Sequence, residues 1–201
     1  MKNVVIQGTV VFAFLTALAF AQTPKSTQPS PQIASAQAVD QQFIKTAAEG
    51  SMAEVEMGRL AAERASHSDV KAFGQKMVDD HEKVDSQLKS IAAEKHVALA
   101  TALSAKDKST YDRLSRLSGN AFDRAYMQDM VQDHQTDIAA FKSEASGGKD
   151  PDVKAFASKT LPTLENHLKA AETTSSAVAT MKTSTKAPTA KPAAATTASV
   201  K

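Results

Sequence analysis

The chain has 201 residues, of which 42% are hydrophobic and 23% are charged, a length that suits one domain with or without tails. It contains no Cys, which excludes disulfides, Cys-ligated zinc, iron–sulfur clusters and a thiol nucleophile. The formal net charge of +2 provides no broad basic surface, so we expect no nucleic-acid partner. Aromatic residues make up only 5%, while Ala, Lys and Glu are abundant, which favours helices over sheet.

The N-terminal segment has the pattern of a signal peptide. Lys2 supplies a positive start, residues 4–21 are mostly apolar, and Ala19-Phe20-Ala21 is a small-residue cleavage site. We therefore expect residues 1–21 to be removed by cleavage near Ala21. The mature protein is then periplasmic or secreted, with association to the outer membrane as a further option. An uncleaved membrane anchor is the alternative interpretation.

Two segments have the composition of linkers. Residues 22–37 contain three prolines and one charge, which predicts an extended spacer. Residues 176–201 consist mainly of Ala, Thr, Ser, Lys and Pro without an acidic residue, which predicts a disordered tail. The lysines of this tail either contact a cell-wall or membrane surface weakly or only keep the chain soluble. The folded domain is expected over residues 38–175.

Apolar residues recur with helical spacing from residue 38 to residue 172. The first helix is predicted over 38–66, and the second runs from a cap at Ser68 or Asp69 to about residue 95. A weaker connection follows over 96–118. In it, Ser104 and Asp107 form a capping box for a short extra helix that ends at Gly119.

The second half of the chain predicts two more long helices. Asn120 is the expected cap of the third helix, with Asp123 at its third position, and Gly147-Gly148 end it. Asp150-Pro151 open the fourth helix, in which Pro162 is expected to cause a kink. Two short turns and one long middle connection predict an all-α, ferritin-like four-helix bundle. Its long crossover joins helices 2 and 3 and carries the short extra helix.

An internal repeat supports this topology. Residues 72–81 align without gaps with residues 125–134, and six of the ten positions are identical. Phe73 is matched by Tyr126, and His81 by His134. Because helices 2 and 3 run parallel in a ferritin-like bundle, the repeat places matching residues at corresponding positions.

One polar residue lies at the centre of the apolar arc of each long helix when the helices are drawn at about 100° per residue. These four residues are Glu54, His81, His134 and His167. Glu54 and His81 are equally many residues away from the turn that joins their helices, so they should lie at the same height in the bundle. His134 and His167 differ in their distance from their own turn by about one helical turn. The four side chains therefore converge in one layer, or in two adjacent layers that Asp85 and Asp137 join.

Metal ligation would satisfy these buried polar groups together, since an uncompensated carboxylate in an apolar core is costly. We therefore predict a metal site formed by Glu54, His81, His134 and His167, with Asp85 and Asp137 as additional ligands. Nitrogen and carboxylate donors suit a divalent transition metal such as zinc, iron, copper or manganese, and disfavour magnesium and calcium. The alternative is a metal-free hydrogen-bonded network in which Glu54 pairs with a protonated histidine.

Two further carboxylates directly precede histidines. Asp80 and Asp133 either accept a hydrogen bond from the imidazole of a neighbouring helix or are charges at the edge of the buried face. The sequence contains no nucleophile elbow, glycine-rich phosphate loop or H-E-x-x-H motif, so we predict no catalytic residues and favour a non-enzymatic role.

Several sequence blocks resemble a bacterial family of secreted ferritin-like proteins catalogued as domain of unknown function 4142. The blocks cover residues 43–50, 54–61, 70–73, 77–81, 122–126, 133–134 and Leu161-Pro162 followed by His167. The resemblance spans roughly residues 38 to 175. It implies a ferritin-like bundle outside the cytoplasm, often labelled an outer-membrane protein, and no established activity.

The chain departs from diiron ferritins, which carry Glu-x-x-His on two helices. The residues three positions before the central histidines are Val78, Val131 and Leu164, which argues against iron storage and ferroxidase activity. The expected function is therefore transition-metal binding for metal handling or stress protection. The alternative is a non-catalytic structural or interaction module of the cell envelope.

Overall fold

The computed structural model of the chain describes residues 31–180. This part contains α1 (Pro31–Arg64), α2 (Ser68–Glu94), α3 (Ala105–Ser115), α4 (Gly119–Gly147) and α5 (Pro151–Ala179). The predicted all-α fold, with a long crossover that carries a short helix, is confirmed. The predicted signal peptide and residues 181–201 of the predicted tail lie outside the described residues. No helix among those described is long and apolar enough to span a bilayer.

The bundle consists of two antiparallel hairpins. α1 packs along α2 and α4 packs along α5, while α1 also contacts α4 and α2 contacts α5. The start of α4 lies beside the turn between α1 and α2, because Asp123 hydrogen-bonds to Ser66. The start of α1 lies beside the turn between α4 and α5, because Asp40 hydrogen-bonds to Asp150. α2 and α4 therefore run parallel, as in the ferritin-like arrangement.

Each hairpin turn is held by a carboxylate from the other hairpin. Asp123 of α4 accepts from the backbone N–H groups of Ser66 and His67, both at 3.0 Å. Asp40 of α1 accepts from the N–H groups of Lys149 at 3.1 Å and Asp150 at 2.7 Å. Both carboxylates are buried, so these charge-assisted hydrogen bonds tie the two hairpins together at both ends.

The helix ends follow the sequence signals in part. Ser104 caps α3 through the N–H of Asp107, and Asp150 caps α5 through the N–H groups of Asp152 and Val153, as predicted. The capping residue of α2 is His67 rather than Ser68 or Asp69, because its Nδ1 accepts from the N–H of Asp69 at 3.1 Å.

The prediction for the start of α4 is wrong. The residue before α4 is Ser118, which makes no side-chain capping bond, and Asn120 already lies inside the helix. Because the carboxylate of Asp123 is engaged by the α1–α2 turn, it does not serve its own helix start.

Several element boundaries also differ from the predicted ones. α1 begins at Pro31, so its first residues come from the range predicted as an extended spacer. α3 ends at Ser115 rather than Gly119, and α5 continues to Ala179, beyond the predicted domain boundary at residue 175. α5 remains one helix through Pro162. In α5, Val178 is buried in the core, so packing against the bundle extends this helix beyond the predicted boundary.

The core contains two apolar clusters at opposite ends of the bundle. One is built around Phe73, Phe122 and Tyr126, and the other around Phe141 and Phe156. On each long helix, the residues of one cluster are followed along the chain by those of the other. The four polar residues Glu54, His81, His134 and His167 occur at these boundaries. A polar layer therefore lies between two apolar layers.

Two glycines set the distance between α1 and α2. A methyl group placed on Gly58 would lie 2.8 Å from the carbonyl oxygen of Gly74, and one placed on Gly74 would lie 2.7 Å from that of Gly58. The two backbones thus approach too closely for a side chain on either residue.

We expect Gly58→Ala and Gly74→Ala each to lower the free energy of unfolding by about 1–3 kcal/mol, since the added methyl must push the two helices apart. The control is Gly147→Ala, where nothing lies within 4 Å of the added methyl. Since Ala favours helix over Gly, this control should be neutral or slightly stabilising. Urea unfolding followed by circular dichroism measures all three, and parent-like midpoints for Gly58→Ala and Gly74→Ala would contradict the close contact.

Candidate metal centre

The structure brings the four predicted central residues together inside the bundle. Glu54 comes from α1, His81 from α2, His134 from α4 and His167 from α5, and none is more than 2% exposed. Each lies at the middle of the buried face of its helix, as the helical spacing predicts. The prediction that Glu54 and His81 lie level is also confirmed, since Oε2 of Glu54 is 3.0 Å from Nδ1 of His81.

The three imidazoles form a single group. Their ring centroids are 5.3 to 6.0 Å apart, and one ring nitrogen of each lies within 4.8 Å of the other two. The histidines therefore occupy one layer rather than two. Among residues 31–180, no Asp or Glu joins them at this spacing.

His167 is oriented by a carboxylate from α2. Its Nε2 lies 3.0 Å from Oδ2 of Asp80. Oδ2 also accepts a hydrogen bond from Lys76, and Oδ1 of the same carboxylate accepts one from Lys83. Partial burial alone would raise the pKa of Asp80, but the hydrogen bonds from Lys76, His167 and Lys83 hold it well below its usual value. Because an ionised carboxylate can only accept, the proton of His167 resides on Nε2 and its Nδ1 carries a lone pair.

His134 and His81 are oriented at Nδ1. Nδ1 of His134 donates to the backbone carbonyl oxygen of Met130 at 2.9 Å. Nδ1 of His81 lies 3.3 Å from Oγ of Ser51, whose hydroxyl donates to the backbone oxygen of His81. Since Oγ then acts as the acceptor of Nδ1–H, both rings carry a lone pair on Nε2.

The three remaining ring nitrogens have no hydrogen-bond partner. Nε2 of His81, Nε2 of His134 and Nδ1 of His167 are all buried and unpaired. Unpaired buried polar atoms are rare in folded proteins. Three imidazoles that each use one nitrogen for orientation and leave the other free have the arrangement typical of metal-ligating histidines. The residues present therefore fit a metal ion.

Burial keeps these imidazoles neutral. It lowers the pKa of His81 to about 3 and that of His134 to about 4, with the charges of neighbouring histidines adding to the effect. Burial also lowers the pKa of His167, against the opposing influence of Asp80. At neutral pH all three rings are thus in the deprotonated form that binds metals.

Glu54 lies beside the imidazole group rather than within it. Its oxygens are 3.0 Å from Nδ1 of His81 and 3.2 Å from Nδ1 of His134, yet neither oxygen accepts a well-directed hydrogen bond. The distances are short, but the N–H directions point to Ser51 and Met130 instead. Burial, with the nearby charges of Asp137 and other aspartates, raises the pKa of Glu54 well above its usual value.

Asp85 and Asp137 flank this centre on different sides. Asp85 lines a groove between α1 and α2 together with Met52 and Lys89. Asp137 lines a cavity that also borders Glu54 and Asp133. The two residues do not join the histidine group, and their role as additional ligands stays a prediction.

The two aspartates that directly precede histidines have different surroundings in the structure. Asp80 accepts from His167 across the α2–α5 contact, as the orienting interpretation predicts. Asp133, at the matching position of the repeat, lines the cavity instead.

Sequence reasoning missed two orienting groups. The sequence could have indicated the carbonyl of Met130 as a partner of His134, because Met130 lies four residues earlier and so on the same helical face. Ser51 contacts His81 from a different helix, and no short-range pattern indicates that pairing.

The sequence profile of a domain of unknown function, DUF4142, matches residues 24–174. The chain belongs to the DUF4142 family. No curated protein matches this DUF4142 chain.

Solved structures share the fold of this DUF4142 domain. A DUF305 fragment from Deinococcus radiodurans has a TM-score of 0.62 at 14% identity, covering 69% of this chain and 96% of that one. CopM in its Cu(I)-bound form has a TM-score of 0.56 at 17% identity, covering 67% and 93%. A two-domain protein from Anabaena variabilis, with DJ-1/ThiJ/PfpI-like and ferritin-like domains, has a TM-score of 0.54 at 16% identity, covering 87% of this chain and 49% of that one.

The hydrogen bonds of this DUF4142 domain predict the tautomer of each central histidine. In metal-free protein near neutral pH, we expect His134 to carry its proton on Nδ1 and His167 on Nε2, because Met130 and Asp80 accept from those atoms. Long-range ¹H–¹⁵N correlation spectra show the tautomer of each of these two rings. Asp80→Ala should release His167 from its fixed tautomer and leave His134 unchanged, whereas the control Asp79→Ala, at an exposed neighbouring position, should alter neither.

Doubly protonated rings in that experiment, or a proton on Nε2 of His134, would contradict the arrangement described for the centre.

Proposed function

We propose that this protein binds one transition-metal ion at the centre of its bundle through His81, His134 and His167. The observation that carries the proposal is that three buried imidazoles bring one ring nitrogen each to within 4.8 Å of the other two, and that each ring also leaves one nitrogen without a hydrogen-bond partner. Leaving three buried polar atoms unpaired in the core is costly. A bound cation converts that cost into favourable ligation.

The donor set narrows the choice of metal. Three neutral imidazoles without a thiolate suit zinc and copper, and also iron and manganese when oxygen ligands join. The Cu(I)-bound and Ag-bound structures of CopM share this fold. Their sequence identities are low, so they justify testing copper(I) and silver(I), while the proposal itself rests on the histidines.

Glu54 supplies negative charge at the proposed site. A cation in a buried site needs a compensating anion, since an isolated buried charge is costly. The Glu54 carboxyl group lies 3.0 Å from Nδ1 of His81 and 3.2 Å from Nδ1 of His134, so that its ionisation on metal binding would balance the charge of the ion. The earlier expectation that Glu54 is itself a ligand remains a prediction.

The role we propose is metal handling or protection against metal stress rather than catalysis. His81, His134 and His167 are at most 2% exposed, so the site holds an ion and offers a substrate little access. The alternative is a structural or interaction module in which the same layer only fixes the register of the helices.

Metal uptake tests this proposal. Metal-free protein is exposed in turn to Zn²⁺, Cu⁺, Cu²⁺, Fe²⁺, Mn²⁺ and Ag⁺, then desalted and analysed by mass spectrometry for metal content. We expect one zinc or copper ion per chain and a raised Tm, since an ion at 100 times its Kd adds about 2.7 kcal/mol of stability.

Single substitutions in the centre provide the controls. His81→Ala and His134→Ala should abolish uptake, whereas His96→Ala, at an exposed position, should retain it. A parent protein that stays metal-free with unchanged Tm after every exposure would overturn the proposal and favour the structural alternative.

The location we propose is outside the cytoplasm, either periplasmic or secreted. Lys2, the apolar residues 4–21 and the Ala19-Phe20-Ala21 site support it. Expression of the full chain in a Gram-negative host, followed by fractionation and intact mass measurement, should show periplasmic protein that has lost residues 1–21. Ala21→Lys should block this cleavage, and an intact cytoplasmic parent would contradict the location. Contact of the lysine-bearing tail with an envelope surface stays a prediction.

A further inference from the structure

A cavity of about 220 Å³ opens between α1, α4 and the start of α3. Five of the residues that line it are acidic: Glu54 and Glu49 come from α1, Asp133 and Asp137 from α4, and Asp107 from α3. Lys106 also lines it. We call this cavity the acidic vestibule.

Glu54 connects the vestibule to the three imidazoles. Glu54 lines the vestibule, is 2% exposed, and has no hydrogen-bond partner on either carboxylate oxygen. The same two oxygens lie 3.0 and 3.2 Å from ring nitrogens of His81 and His134. One unpaired acidic side chain therefore reaches from the cavity to the metal centre.

The carboxyl groups of the vestibule lie close enough to raise the pKa values of one another. Burial and, as the next largest cause, the charge of Asp133 together raise the pKa of Asp137 to about 7. Asp133 and Asp107 line the same cavity as Asp137, and Lys106 is the residue of opposite charge among them. Acidic groups crowded in a partly desolvated cavity repel one another, and a cation relieves that repulsion.

Gly50 faces Asp137 across the cavity. A methyl group placed on Gly50 would lie 3.9 Å from both carboxylate oxygens of Asp137, an ordinary van der Waals distance. A longer side chain grown from that carbon would occupy the vestibule. Glycine at this position keeps the space open.

The carboxylates of the vestibule are not spaced as a second metal site. Within the part of the chain that the structure describes, the three histidines are the one group whose donor atoms are close enough to share an ion. Asp133, Asp137 and Glu54 thus attract a cation without enclosing it. That arrangement favours passage over retention.

We infer that the acidic vestibule is the route by which a metal cation reaches the three histidines. Asp133 and Asp137 concentrate cations at its mouth, Glu54 offers the last oxygen ligands before the imidazoles, and Lys106 opposes uptake. This inference rests on the proposed function and adds to it the path and the electrostatic control of loading. Clefts lined by one sign of charge raise association rates of opposite charges, and salt weakens this effect.

Rates of metal uptake test the charges. Loading of metal-free protein with Zn²⁺, or with Cu⁺ if zinc does not bind, is followed by stopped-flow with a chromophoric chelator at about pH 8, where carboxylates with raised pKa values are largely ionised. The double variant Asp133→Asn/Asp137→Asn should load roughly tenfold more slowly and lose most of its salt dependence.

Two further variants are compared with this one: a control that removes two acidic residues elsewhere, and a variant that removes a positive charge from the vestibule. Asp79→Asn/Glu82→Gln removes the same charge from the exposed face of α2 and should load like the parent. Lys106→Ala should accelerate loading. A purely structural role for these residues does not produce opposite effects from opposite charge changes.

Blocking the vestibule tests the path itself. Gly50→Leu should slow both metal uptake and chelator-driven release by the same factor and leave the Kd unchanged, because one route serves both directions. Gly50→Ala, whose methyl fits, should behave like the parent. The charge variants keep the test decisive if Gly50→Leu does not fold.

The outcomes separate the two proposals. A parent that binds no metal overturns the proposed function, and the vestibule inference falls with it. A parent that binds one ion while the charge variants and Gly50→Leu exchange it at parental rates overturns the vestibule alone. A changed Kd with parental uptake rates would also overturn it, since the residues would then tune affinity rather than passage.

Discussion

The structure depends on how the bundle accommodates three imidazoles and a carboxylate in its apolar centre. Burial deprives these groups of water. Each ring compensates in part by donating one hydrogen bond, to Asp80, to the carbonyl oxygen of Met130 or to Ser51. Each of these bonds fixes a ring or ties two helices at one height. Sliding α1, α2 or α5 by one turn, about 5.4 Å, would break the hydrogen bond of His81 to Ser51 or that of His167 to Asp80. These two bonds of the polar layer therefore favour one register of α1, α2 and α5, with or without an ion.

The internal repeat shows how one motif acquires two roles. Asp80 and Asp133 occupy matching positions on parallel helices, but their neighbours differ. Opposite Asp80 lies His167 of α5, whose imidazole donates a hydrogen bond to it. Around Asp133, the cavity wall contributed by α1 contains Glu54, neither of whose carboxylate oxygens has a hydrogen-bond partner. The same Asp-His sequence thus orients a ring on one side of the bundle and lines an acidic cavity on the other.

Much of the fold and the identity of the central residues could be predicted from the sequence. The apolar period reveals which face of a helix is buried, so Glu54, His81, His134 and His167 are found by their position on that face. The period does not fix side-chain rotamers, so it could not predict that Glu54 approaches Nδ1 while Nε2 stays free. Nor could it find contacts between residues far apart in the chain, such as Asp123 with the α1–α2 turn. Because that contact engages the Asp123 carboxylate, Asp123 does not serve the start of its own helix.

The reciprocal ties of Asp40 and Asp123 have a consequence for folding. Each carboxylate belongs to one hairpin and serves the turn of the other, so neither hairpin has all its hydrogen-bond partners when it stands alone. Opening one hairpin withdraws an acceptor from the turn of its neighbour and removes two of the four central polar side chains, Glu54 and His81 or His134 and His167. The two halves therefore gain their stability jointly, and the domain should unfold as one cooperative unit rather than hairpin by hairpin.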